Sequence, residues 1–72
     1  MTDTLLLKKK IKESGLKLQF IADKLGISRQ SLSYKINNLR GFNQYEMEIL
    51  KELLSIDTYE EFKAIFFKPD VD

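Results

Sequence analysis

The chain of 72 residues has no cysteine, no histidine and no tryptophan, a single proline and three glycines. Lack of cysteine rules out a disulfide framework, and with histidine also missing the commonest zinc sites have no ligands. A hydroxyl nucleophile would be without its usual imidazole partner, and Glu13, Asp23 and Glu46 show no spacing that would make a ligand set or an acid–base pair. No enzyme activity, metal or other cofactor is therefore expected. Long apolar runs are missing too, since none approaches the ~20 residues of a membrane-spanning helix. The opening stretch places Asp3 before Leu5-Leu6-Leu7 and Lys8-Lys9-Lys10 after it, the reverse charge order of a secretory signal. A cytoplasmic protein without membrane contact is the expectation. At this length one domain forms, burying roughly 60% of the surface its unfolded chain exposes. That leaves no second core in which to sense a small-molecule ligand.

What is present is charge, and it is sorted. The net charge is only +1, but residues 1–42 hold nine Lys or Arg against three Asp or Glu, a net +6, while residues 43–72 hold three against eight, a net −5. A basic half beside an acidic half is the footprint of a protein that meets phosphate with one face. Chance asymmetry in a small domain produces the same tally, so the charge needs a motif beside it.

The motif lies between Phe20 and Asn37. Ile21 and Leu25 are four apart and share a helical face, and Ala22 sits beside them where a second helix must cross closely. Gly26 follows that face, at the place where helices commonly end in the left-handed conformation that glycine adopts without steric cost. Ile27 then turns inward to plug the corner. Ser28 is placed to cap the next helix, and Leu32 and Ile36 give that helix an inward stripe. The spacing predicts helices over Leu18–Leu25 and Ser28–Asn38 joined by a tight turn. Arg29, Gln30, Ser33, Tyr34 and Asn37 are left on the outer side.

With Ile21-Ala22, Gly26-Ile27-Ser28 and Leu32 in this register, and Asn37 closing the second helix, the chain resembles the phage repressor and Cro type of helix-turn-helix protein. The resemblance implies an all-α domain whose second motif helix lies in the major groove of double-stranded DNA with its first residues on base edges. Arg29, Gln30 and Tyr34 fall where that family's base-reading side chains fall, and Asn37 where a phosphate-contacting asparagine is usual. Two positions depart from the pattern. A threonine and a glutamine often open the first motif helix, the glutamine bonding a phosphate; here Lys17 and Leu18 stand there, and Lys17 or Gln19 is left to take that role. Lys35 occupies a position that is often apolar. Beyond the motif, Phe42, Met47, Leu50, Leu54 and Ile65-Phe66-Phe67 are similar to the small Cro-like regulators of Gram-positive phages and integrative elements.

The chemistry of the outer side chains fits that role. Arg29 offers the planar fork that matches guanine O6 and N7, and Gln30 the amide that matches adenine N6 and N7. Ser28, Ser33 and Tyr34 complete the base-reading set. Tyr34 has three uses open to it, on a thymine methyl, on a phosphate or against its own helix. Lys17, Gln19, Asn37, Asn38 and Arg40 form the phosphate-positioning set, because helix starts and the loop after the reading helix flank the groove. Lys8-Lys9-Lys10 reads as a solvated face that adds to the general field.

The flanks predict three more helices. One spans Thr4–Ser14, with Leu7 and Ile11 inward and Gly15 as its stop. Another is capped at Asn43, with Glu46 reaching back to complete a capping box, Phe42 stapled on Met47, and Met47, Leu50 and Leu54 as its core face. The last opens at Thr58 with Glu61 at capping-box spacing, carries Phe62, Ile65 and Phe66 on one side, and ends before Pro69. Short loops and stripes of two or three turns make a compact five-helix orthogonal array, which the resemblance implies is of the lambda-repressor-like type. Adjacent residues on a helix point about 100° apart, so Phe66 and Phe67 cannot both enter one core. One of them either meets a second copy, giving a homodimer through the C-terminal helix, or folds back on its own domain. The whole predicts a sequence-specific DNA-binding regulator, nucleoid-associated when bound, and the resemblance alone makes it a repressor. The rival is a protein-interaction module on the same fold, antirepressor-like, that binds another regulator.

Overall fold

Five α-helices and no strand make up residues 1–69, the part of the chain described by this computed structural model. They are α1 (Thr4–Ser14), α2 (Leu18–Leu25), α3 (Arg29–Ile36), α4 (Gln44–Leu53) and α5 (Tyr59–Phe66). Helix α2 packs on α3 and α4, and α1 bridges α3 and α5. The core comprises Leu7 and Ile11 of α1, Ile21, Ala22 and Leu25 of α2, Leu32 and Ile36 of α3, and Leu50, Leu54, Ile56, Ile65 and Phe66 of the second half. Each fully buried aliphatic side chain of this kind contributes about 1.5–3 kcal/mol over leaving it exposed. Ala22 has no exposed surface where α2 meets its neighbours, the place a larger side chain would hold them apart.

Side-chain caps start four of the helices. Asp3, Ser28, Asn43 and Thr58 each accept the backbone N–H three residues on. Three helices end by one mechanism, in which a residue of positive φ turns the chain and two N–H groups close on the last carbonyls. For α2 the residue is Gly26 (φ 74°), with Gly26 N–H on the Asp23 carbonyl and Ile27 N–H on that of Ala22, both 3.1 Å. For α3 it is Asn38 (φ 64°), with Asn38 N–H on Lys35 at 3.3 Å and Leu39 N–H on Tyr34 at 2.8 Å. Ser55 (φ 54°) closes α4 in the same way through Ile56, which places that side chain in the core.

Several expectations need correction. Helix α3 stops at Ile36 rather than Asn38, because Asn37 caps it and Asn38 has already left helical backbone angles. The core face of α4 keeps Leu50 and, at its C-cap, Leu54 as expected, but Met47 is only half-buried against the core and Glu46 is buried beside it. The capping box at Asn43 is complete, but the one at Thr58 is half made: Thr58 accepts from Glu61 N–H at 3.1 Å, while the Glu61 carboxylate turns to Lys10 at 3.4 Å. Phe66 is buried, edge-on to Phe42 at 5.7 Å between ring centroids, whereas Phe67 is 53% exposed. Phe66 therefore belongs to the core and is unavailable to a second copy. Asp70 and Asp72, counted in the acidic half, lie outside the described residues.

Candidate nucleic-acid interface

Helix α3 is presented to solvent by what holds it from behind. Leu32 and Ile36 are sunk in the core, the Ser28 hydroxyl accepts Ser31 N–H at 3.0 Å, and Arg29, Gln30 and Ser33 stand exposed on the other side. The sequence-predicted side chains are thus brought to one surface, although not all are free. Ser28 also donates to Ser31 Oγ at 3.1 Å, so its hydroxyl is occupied as a cap rather than offered to a base.

The outer side of α3 has two edges. Gln30 and Tyr34, four apart, lie along one, and Gln30 Nε2 donates to the Tyr34 hydroxyl at 2.8 Å. The Arg40 guanidinium, in the loop after the helix, lies over the Tyr34 ring at 5.5 Å, a cation–π contact. Tyr34 therefore links a candidate base reader to a candidate phosphate contact and restricts both. Arg29, Ser33 and Asn37 lie along the other edge. Asn37 Nδ2 donates to the Ser33 carbonyl at 2.9 Å, which steadies the amide against its own helix.

At the start of α2, Lys17 is exposed and makes no side-chain cap, and Gln19 Nε2 donates to Asp23 Oδ1 at 2.9 Å on the outer face. The first turn of α2 thus lacks a side-chain cap and stands beside an exposed lysine, an arrangement that favours an anion.

Asn38 departs from the expected set. Its Oδ1 accepts Thr2 N–H at 2.9 Å, and its Nδ2 donates to the Thr2 carbonyl at 2.7 Å and to Thr4 Oγ1 at 3.3 Å. The amide reads the backbone of the chain's first residues as one strand reads another, which leaves it no donor for a phosphate. Thr4 Oγ1 adds a bond to the Ile36 carbonyl at 2.7 Å. The segment is held on its other side by α5 and the residues after it, through Asp3 N–H to the Ile65 carbonyl at 2.6 Å and Lys68 N–H to the Met1 carbonyl at 2.9 Å.

Sequence reasoning missed one polar group that fixes α3. Lys35 Nζ lies 2.8 and 3.0 Å from the two carboxylate oxygens of Glu46 and 3.3 Å from the Gly41 carbonyl. Only 15% of the Lys35 side chain and 5% of the Glu46 side chain are exposed. Glu46 Oε1 also accepts Asn43 N–H at 3.0 Å, so one carboxylate serves the ion pair and the capping box together. One signal was available in the sequence: Lys35 sits where an apolar residue is common in proteins of the resembled type.

Among the described residues no group of three or more Asp, Glu, His or Cys side chains could hold a metal ion, and no helix is long and apolar enough to cross a membrane. No protein-family model matches this chain, and comparison with curated proteins and with solved structures found no match.

Proposed function

We propose that the protein is a regulator of transcription that binds double-stranded DNA sequence-specifically, with α3 in the major groove, on a helix-turn-helix domain of the phage repressor type. The observation that carries this reading is the exposed polar side of a short helix anchored from behind, with Arg29, Gln30, Ser33 and Tyr34 on it and Lys17, Gln19, Asn37 and Arg40 around it. Arg29 and Gln30 read base edges; Lys17, Gln19, Asn37 and Arg40 take backbone phosphates on either side. Binding needs no cofactor and takes place in the cytoplasm on the nucleoid. Repression, by occlusion of a promoter, is what the resemblance to phage repressors implies.

The dimensions argue for two copies. Eight residues make α3 about 12 Å long, and the longest extent of the molecule is 32 Å, so one copy covers one passage of the groove. A two-fold dimer would present reading helices about 34 Å apart. Exposed Phe67 is the side chain we assign to that contact, with Phe66 excluded by its burial.

Selection of bound sequences from a random duplex pool, followed by gel shifts at 50 and 200 mM salt, tests the reading. A consensus should emerge, palindromic if two copies bind, and affinity should fall steeply with salt through counterion release. Failure to retain any duplex at the lower salt would end the regulator reading and leave the protein-interaction module in its place.

A further inference from the structure

The lysine run of α1 divides three ways once the helix is packed. Lys10 pairs with Glu61 of α5 at 3.4 Å, and Lys9 lines the cleft between α1 and α5 in the company of Glu13 and Glu61. Lys8 goes the other way. With Lys12, one turn further on, it lines a groove of about 350 Å³ between α1 and the outer edge of α3, opposite Ser33 and Asn37. The remaining lining is apolar, from Ile11, Ile36 and Leu18, the first residue of α2.

That groove differs from its neighbours in sign. The cleft between α1 and α5 carries two carboxylates, and the one between α1 and the end of α4 carries Glu13, whereas no carboxylate lines the α1–α3 groove among the described residues. Two ammonium groups thus stand beside the hydroxyl and amide of the helix assigned to base reading, next to the start of α2. An anionic chain lying along the Arg29, Ser33, Asn37 edge of α3 would pass between them.

We propose that Lys8 and Lys12 are phosphate contacts, so that α1 forms one wall of the DNA-binding surface and the groove seats a stretch of sugar–phosphate backbone, the apolar floor meeting deoxyribose. This rests on the DNA reading above and extends it to a helix outside the motif. Lys9 and Lys10, next to Lys8 and of equal charge, take no part.

The adjacent lysines supply the control. K8A, K12A and K9A are each titrated against a random-sequence duplex of fixed length over a range of salt. A lysine that releases a counterion on binding contributes about 0.9 to the slope of log affinity against log salt. K8A and K12A should each lower the slope by about that amount, and K9A by well under half of it. Equal losses from all three would overturn the proposal, because they would show a general field and no seated backbone. Lysine acetylation footprinting of the unaltered protein gives a second readout that does not depend on the variants. Duplex should protect Lys8 and Lys12 while Lys9 stays reactive, and reactivity of Lys8 unchanged by saturating duplex would overturn the assignment. An unaltered chain that binds no duplex at low salt would instead bring down the DNA reading, and this inference with it.

Discussion

The two ends of α3 are held in different ways, and the difference separates what the helix is from what it can touch. Its start is fixed by one hydroxyl cap and a glycine turn, with Arg29 and Gln30 exposed directly beyond. Its end is gripped by the Lys35–Glu46 pair, by the amide of Asn38 on Thr2, and by Thr4 on the Ile36 carbonyl. Most of the polar groups spent on holding the helix are gathered at its end, and at its start Ser28 alone serves as a cap, leaving Arg29 outside that work. On the proposed reading this asymmetry matters, because a donor that holds the fold is not at the same time offered to a base.

The largest expected effect comes from breaking the grip at its centre. Glu46→Ala strands the buried Lys35 ammonium and leaves Asn43 N–H without its acceptor, which should cost about 3–5 kcal/mol, a large part of what keeps a small domain folded. Urea unfolding measures it, and a loss below about 1 kcal/mol would mean that the pair is not what holds the end of α3. Asn38→Ala comes next. It leaves both Thr2 backbone groups unpaired and puts a β-carbon residue without a polar side chain at positive φ, for about 1–3 kcal/mol; Thr2 N–H should lose its protection from exchange with solvent. At the opposite end Arg29→Ala should change stability by no more than about 0.5 kcal/mol while removing about 1–3 kcal/mol of discrimination at one base pair. Equal weakening on selected and random duplex would turn Arg29 into a phosphate contact and erase the contrast between the ends.

The parts of the fold that could be read in the sequence are those set by neighbours along the chain. Gly26 before Ile27-Ser28, and Asn43 three residues before Glu46, specify a helix end and a helix start through contacts five residues long or shorter, and both formed as expected. The apolar periodicity of Leu7, Ile11, Leu32, Ile36 and Leu50 likewise marked buried faces. What escaped were contacts between polar groups far apart in the chain. Lys35 meets Glu46 across two helices, and Asn38 meets Thr2 across thirty-six positions, with no spacing to announce either. The candidate surface was legible for the same local reason, since Arg29, Gln30 and Ser33 are simply the positions of α3 that the apolar stripe leaves over. The split of Lys8, Lys9 and Lys10 was not, because it depends on which helix lies beside each side of α1.

The clasp formed by Thr2 and Asp3 has a consequence for the order in which the molecule can be built. Asp3 finds its partner in Ile65, sixty-two positions later in the sequence, and Thr2 is seated beside it on Asn38. A nascent chain that lacks α5 holds the end of α3 by one side alone. The last hold on the end of α3 therefore waits for α5 to dock, a closing step that joins positions far apart in the sequence.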